Sequence, residues 1–109
     1  MKIVTVCEQG LNRSLHAAFI MRWKRKIDGG GFNDVVPLGI KVSSPELQKM
    51  LFDWADWIIL TDAQFKDLIP AEYATKLKLW DVGADKWHRP FNKELLDLLR
   101  AHMEKEFTL

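Results

Sequence analysis

Ile3-Val4-Thr5-Val6-Cys7-Glu8-Gln9-Gly10-Leu11-Asn12-Arg13-Ser14 decides the fold. The stretch opens on a short apolar strand, Ile3 to Val6, and ends where a helical pattern begins at Arg13. Between them a cysteine is followed by five residues and then by Arg-Ser. A strand feeding a tight loop and then a helix N-terminus aims successive backbone N–H groups at one point. Such a nest, running from Glu8 through Gln9, Gly10, Leu11 and Asn12 to Arg13, suits a dianionic phosphoryl group. Arg13 adds a planar fork that matches two phosphate oxygens. The same positive field favours a thiolate, which is the nucleophilic form of cysteine. Ser14 is suited to donate a hydrogen bond to that sulfur. Gly10 supplies the backbone freedom of a tight anion-binding turn.

Outward from this loop, short apolar runs alternate with longer amphipathic ones. Arg13 to about Ile27 reads as a helix, with Leu15, Phe19, Trp23 and Ile27 spaced by four, and Gly29-Gly30-Gly31 stops it. Val35 to Val42 should hold a second strand. Pro37 inside it cannot donate to a ladder, so that strand belongs at an edge. Ser43-Ser44-Pro45-Glu46 starts a helix, capped either by Ser44 before Pro45 or by Ser43 with Glu46. Leu47, Met50, Leu51 and Trp54 then fall on one helical face. Trp57-Ile58-Ile59-Leu60 is continuously apolar, as in the buried middle of a parallel sheet. Thr61-Asp62 caps a short helix carrying Phe65, Leu68 and Ile69, ended by Pro70. Lys76 to Trp80 alternates lysine with apolar residues, the pattern of an edge strand. Asn92 to about Phe107 forms the last helix, with Leu95, Leu98, Leu99 and Met103 on one face.

These elements imply an α/β fold: a four-stranded parallel sheet with helices on both faces. The simplest right-handed solution has strand order 2-1-3-4. It puts the switch point between strands 1 and 3, so the loop beginning at Cys7 opens onto the ligand crevice. The length, 109 residues, fits a single domain over 1–109. Net charge is +1, which gives no long-range argument for nucleic acid or an acidic membrane. The basic cluster Arg22, Lys24, Arg25 and Lys26 reads as a complement to the end of the first helix. No apolar run approaches a membrane span, and the N-terminal apolar stretch is too short for a signal peptide. The single cysteine excludes an intramolecular disulfide and points to a reducing, cytoplasmic setting. His16, His88 and His102 show no metal-ligand spacing with it, so no metal is expected. His16 reads as a partly exposed residue of the first helical turn.

Cys-x5-Arg-Ser directly after the first strand resembles the low-molecular-weight protein tyrosine phosphatases. Asp53-Trp54-Ala55-Asp56-Trp57-Ile58-Ile59 resembles that family's helix-to-strand stretch. Asp81-Val82-Gly83-Ala84-Asp85-Lys86-Trp87 resembles its late acidic loop. The resemblance implies a phosphomonoester hydrolase acting through a cysteinyl-phosphate, with no cofactor. Cys7 is then the nucleophile, Arg13 the phosphate and transition-state clamp, and Ser14 the thiolate stabiliser. A late aspartate protonates the leaving oxygen and then activates water; Asp85 is the first choice and Asp81 the second. Trp87 and Phe91 are candidates to wall a cleft for aryl phosphates. The chain departs from the family pattern at Gly10, Leu15 and Lys86, where asparagine, proline and proline are usual. Glu8 is expected to face solvent, where it favours cationic substrates. The implied substrates are a phosphorylated protein or a small phosphomonoester. The rival readings are a non-catalytic phospho-ligand-binding module, a cysteine phosphocarrier and an arsenate reductase. Arg13 speaks against the carrier, and the single cysteine against the usual thiol relay of the reductase.

Overall fold

The computed structural model describes residues 1–9, 12–23, 33–83 and 92–107. Among these residues, four strands form one parallel sheet: β1 (Lys2–Cys7), β2 (Asp34–Gly39), β3 (Trp57–Leu60) and β4 (Leu77–Leu79). Their order is β2-β1-β3-β4, as expected from the sequence. Pro37 lies opposite Thr5 in the edge strand β2, where its missing N–H removes nothing from a central ladder. Among the described residues, three helices accompany the sheet: α1 (Arg13–Trp23), α2 (Pro45–Trp54) and α3 (Lys93–Phe107). A 3-10 helix over Ala63–Leu68 follows β3, and a second, over Ala71–Tyr73, precedes β4.

Alternation along the strands sorts the side chains onto two faces. Val4, Val6, Ile58 and Leu60 pack with Phe52 of α2 and with Phe65 and Tyr73. Ile3 and Ile59 face the other way and pack with Ala17, Ile20 and Met21 of α1, Leu95 and Leu99 of α3, and Trp80. Helices therefore cover both faces. Full burial of each large aliphatic side chain contributes about 1.5–3 kcal/mol. Thr5 and Cys7 share the parity of Ile3, so β1 presents them to α1. Ser44 is the cap of α2: its Oγ accepts from Leu47 N at 3.1 Å, with Pro45 in the first turn.

Two helix faces differ from the sequence reading. Leu15 and Phe19, expected inside, are 49% and 40% exposed. The buried face of α1 carries Ala17, Ala18, Ile20 and Met21 instead. Small side chains let this helix approach β1, β2 and α3 closely, and that approach outweighs the larger stripe. His16, expected partly exposed, lies on this face and is buried. In α2 the buried residue is Phe52, while Met50 is exposed. The triple glycine at 29–31 lies outside the described residues.

The end of β2 is pressed against the loop after β1. A Cβ built on Gly39 would lie 2.4 Å from Gln9 C and 2.5 Å from its O. Both are backbone atoms, so the strand and the loop must separate to admit a side chain. Gly39→Ala is therefore expected to destabilise the protein by at least about 1–3 kcal/mol. Thermal unfolding measures it, and an unchanged midpoint would contradict this close approach.

Candidate active site

β1 is central and its last residue is Cys7, so the cysteine stands at the crevice between β1 and β3. Cys7 O accepts from Ile40 N and Glu8 O from Lys41 N, each at 2.9 Å, which extends the pairing with β2 into the loop. Across the loop, Cys7 Sγ and Ser14 Oγ are 3.1 Å apart and buried. As a thiol, Cys7 donates to Ser14; once ionised, the sulfur accepts from the Ser14 hydroxyl. Thr5 Oγ1 donates to Ser14 O at 2.7 Å, stitching the first turn of α1 to β1. Asn12 O accepts from His16 N at 2.9 Å and bonds His16 Nδ1 at 2.7 Å. A carbonyl only accepts, so Nδ1 carries the proton.

Arg13 opens α1 and is 2% exposed. Its Nη1 donates to Asp62 Oδ2 at 2.5 Å and to Gly83 O at 2.6 Å. Its Nε is buried and has no hydrogen-bond partner. An unsatisfied buried donor on a charged group costs about 1–3 kcal/mol or more, and an oxyanion accepting from it removes that cost. Gly83 has φ +78, a conformation that favours glycine. Thr61 Oγ1 and Thr61 N both donate to Val6 O at 2.9 Å, holding the exit of β3 beside that of β1.

By sequence, Asp62 is a helix cap. It does cap the 3-10 helix, Oδ1 accepting from Gln64 N at 3.1 Å, while Oδ2 accepts from Gln64 Nε2 at 2.8 Å. Its second role is the ion pair with Arg13, 49 residues away. Burial pushes its carboxyl up, but the hydrogen bonds from Gln64 and Arg13 outweigh this and hold it below the usual aspartate value. A depressed folded value adds stability that is fully present above the unfolded value, about 3.9, and is lost as pH falls through the folded one. Asp62→Asn keeps one acceptor oxygen but sets an amide against a buried guanidinium. It is expected to cost about 3 kcal/mol near neutral pH. The gap between wild type and variant should narrow as pH falls below the unfolded value and through the depressed folded one. Urea unfolding over that range checks both, and a gap independent of pH would contradict an ionised Asp62.

The structure brings Cys7, Arg13, Ser14 and Asn12 together, with half-buried Glu8 and exposed Gln9 in the bend that follows β1. Gly10 and Leu11 lie outside the described residues, as do Asp85, Trp87 and Phe91. Asp81 follows β4, and its Oδ1 accepts from Ala63 N at 3.2 Å and Gly83 N at 3.1 Å. Cys7 is 2% exposed. Among the described residues, no three His, Cys, Asp or Glu side chains are grouped to hold a metal ion. Among them, too, no helix is long and apolar enough to cross a membrane.

No family model matches the sequence, and no curated protein sequence matches it. Among solved structures, a YwlE mutant from Bacillus subtilis is similar, with a TM-score of 0.62 and 20% identity, covering 100% of this chain and 99% of that one. The likeness establishes a shared fold. The chain has the low-molecular-weight phosphotyrosine phosphatase-like fold that the sequence resemblance implied.

Proposed function

We propose that the chain is a phosphomonoester hydrolase, protein tyrosine phosphatase-like, that works through a cysteinyl-phosphate on Cys7. Cys7 thiolate attacks phosphorus in line with the ester oxygen. The S–P bond forms as the ester P–O bond breaks, and the leaving oxygen takes a proton from an aspartic acid. Water then attacks phosphorus and gives its proton to that aspartate; the S–P bond breaks and the thiolate returns. Arg13 and the backbone amides after Cys7 bear the charge on the equatorial oxygens. Asp85 is the candidate acid. Asp81 suits that role less, because one of its oxygens already accepts two backbone amides.

One observation carries this reading: a buried arginine held at Nη1, with an unpartnered buried Nε, next in sequence to the serine that touches the lone cysteine sulfur. Phosphorylated proteins and small phosphomonoesters are the substrate classes that fit, and a reduced thiol suits a cytoplasmic setting. The test is hydrolysis of p-nitrophenyl phosphate at about pH 5 to 7. Turnover inhibited competitively by inorganic phosphate is the expected result. Absence of turnover by the folded protein would overturn it.

The 2% exposure of Cys7 favours a second reading. A nucleophile must be reached by phosphorus opposite the leaving group, whereas a module that only grips a phosphoryl group through Arg13 has no such requirement. Phosphate binding without turnover of an aryl phosphate would identify such a module.

A further inference from the structure

Asp81 lies between the two segments that supply Arg13 with its acceptors. Ala63 follows Asp62, whose Oδ2 takes Arg13 Nη1. Gly83 carries the carbonyl that takes the same nitrogen. A single oxygen, Asp81 Oδ1, accepts the amides of both Ala63 and Gly83. The β3–β4 ladder ends with Leu60 opposite Leu79, and it is prolonged by Trp80 N donating to Leu60 O and Val82 N to Thr61 O. The Asp81 side chain then bridges the same two segments through Ala63 N. Its main chain is held from α3, where His102 Nε2 donates to Asp81 O at 3.0 Å and the imidazole stacks on Trp80 at 6.4 Å.

From this geometry we propose that Asp81 is a positioning residue for the Arg13 guanidinium. It ties the segment after β3 to the segment after β4, so that the Asp62 carboxylate and the Gly83 carbonyl converge on Nη1 and Nε is left for an oxyanion. The inference rests on the proposed role of Arg13 in binding phosphate. It also separates Asp81 from the proton-donor role that its place in the late acidic loop suggests. A general acid must carry and release a proton. A staple needs only lone pairs on one oxygen, and an asparagine amide offers those.

Asp81→Asn and Asp81→Ala therefore discriminate. The readouts are KM and kcat for p-nitrophenyl phosphate, Kd for inorganic phosphate by calorimetry, and the thermal midpoint. Asp81→Ala, losing two hydrogen bonds that fix the Arg13 acceptors, is expected to raise phosphate Kd and KM about tenfold, with a smaller effect on kcat. Asp81→Asn is expected to restore Kd, KM and kcat to within about threefold of wild type. A low kcat in Asp81→Asn with an unchanged phosphate Kd would mark Asp81 as the proton donor and overturn the proposal. A folded Asp81→Ala with wild-type Kd and KM would overturn it too. Should Asp81→Ala fail to fold, Asp81→Asn decides by the same criteria. Wild-type protein that neither binds phosphate nor turns over would sink the proposed function itself, and the positioning role with it.

Discussion

Cys7→Ser is expected to lower hydrolysis of p-nitrophenyl phosphate by at least about 10⁴-fold while leaving the fold and the affinity for inorganic phosphate intact. The substitution exchanges sulfur for oxygen without changing the shape of the side chain. The new hydroxyl can still bond Ser14 Oγ, which lies 3.1 Å from the native sulfur. A buried hydroxyl with a partner changes stability by only about 1 kcal/mol. What disappears is the nucleophile, because a serine hydroxyl is not ionised near neutral pH. Steady-state kinetics together with phosphate titration separate the two effects. Retained turnover in Cys7→Ser would mean that another group attacks phosphorus.

Arg13→Ala is expected to fail in two ways at once. It removes the donor proposed to hold the equatorial oxygens, so turnover and phosphate affinity should fall on the order of 10²- to 10³-fold. It also strands the Asp62 carboxylate, 5% exposed, without its cation. Breaking a buried pair from one side costs about 3–5 kcal/mol. Arg13→Lys restores charge beside Asp62 but not the planar fork, so it should recover part of the stability and little of the turnover. Removing both partners together should cost less stability than the two single losses added, since the stranded charge is gone. Unfolding curves and kinetics on wild type, the two single losses and the double variant check this, and additive stability losses would contradict a direct Arg13–Asp62 coupling.

The strand order and the start of the site were legible because few residues determine them. Pro37 placed β2 at the edge, the run Trp57 to Leu60 placed β3 inside, and Cys7 to Ser14 joined them at the switch point. Ser44 with Pro45 announced α2 by local capping chemistry alone. The buried face of α1 was not legible. An i, i+4 stripe of Leu15 and Phe19 is the stronger hydrophobic signal, but close helix-to-sheet approach selects Ala17 and its neighbours. Asp62 was legible only as a cap, because its pairing with Arg13 depends on two strand ends meeting in space. A signal was nonetheless present: an aspartate just beyond the carboxyl end of a central strand, beside the switch point, faces the same crevice as the loop. Gly39 gave no sequence signal, since its constraint comes from the Gln9 backbone.

Acid quench during steady turnover, followed by peptide mapping, interrogates the covalent step most directly. Phosphate carried by the peptide containing Cys7, absent in Cys7→Ser and enriched in Asp85→Asn, is the expected result. Turnover with the phosphate on a different residue, or with none on Cys7 even in the slowed variant, would contradict a cysteinyl-phosphate mechanism.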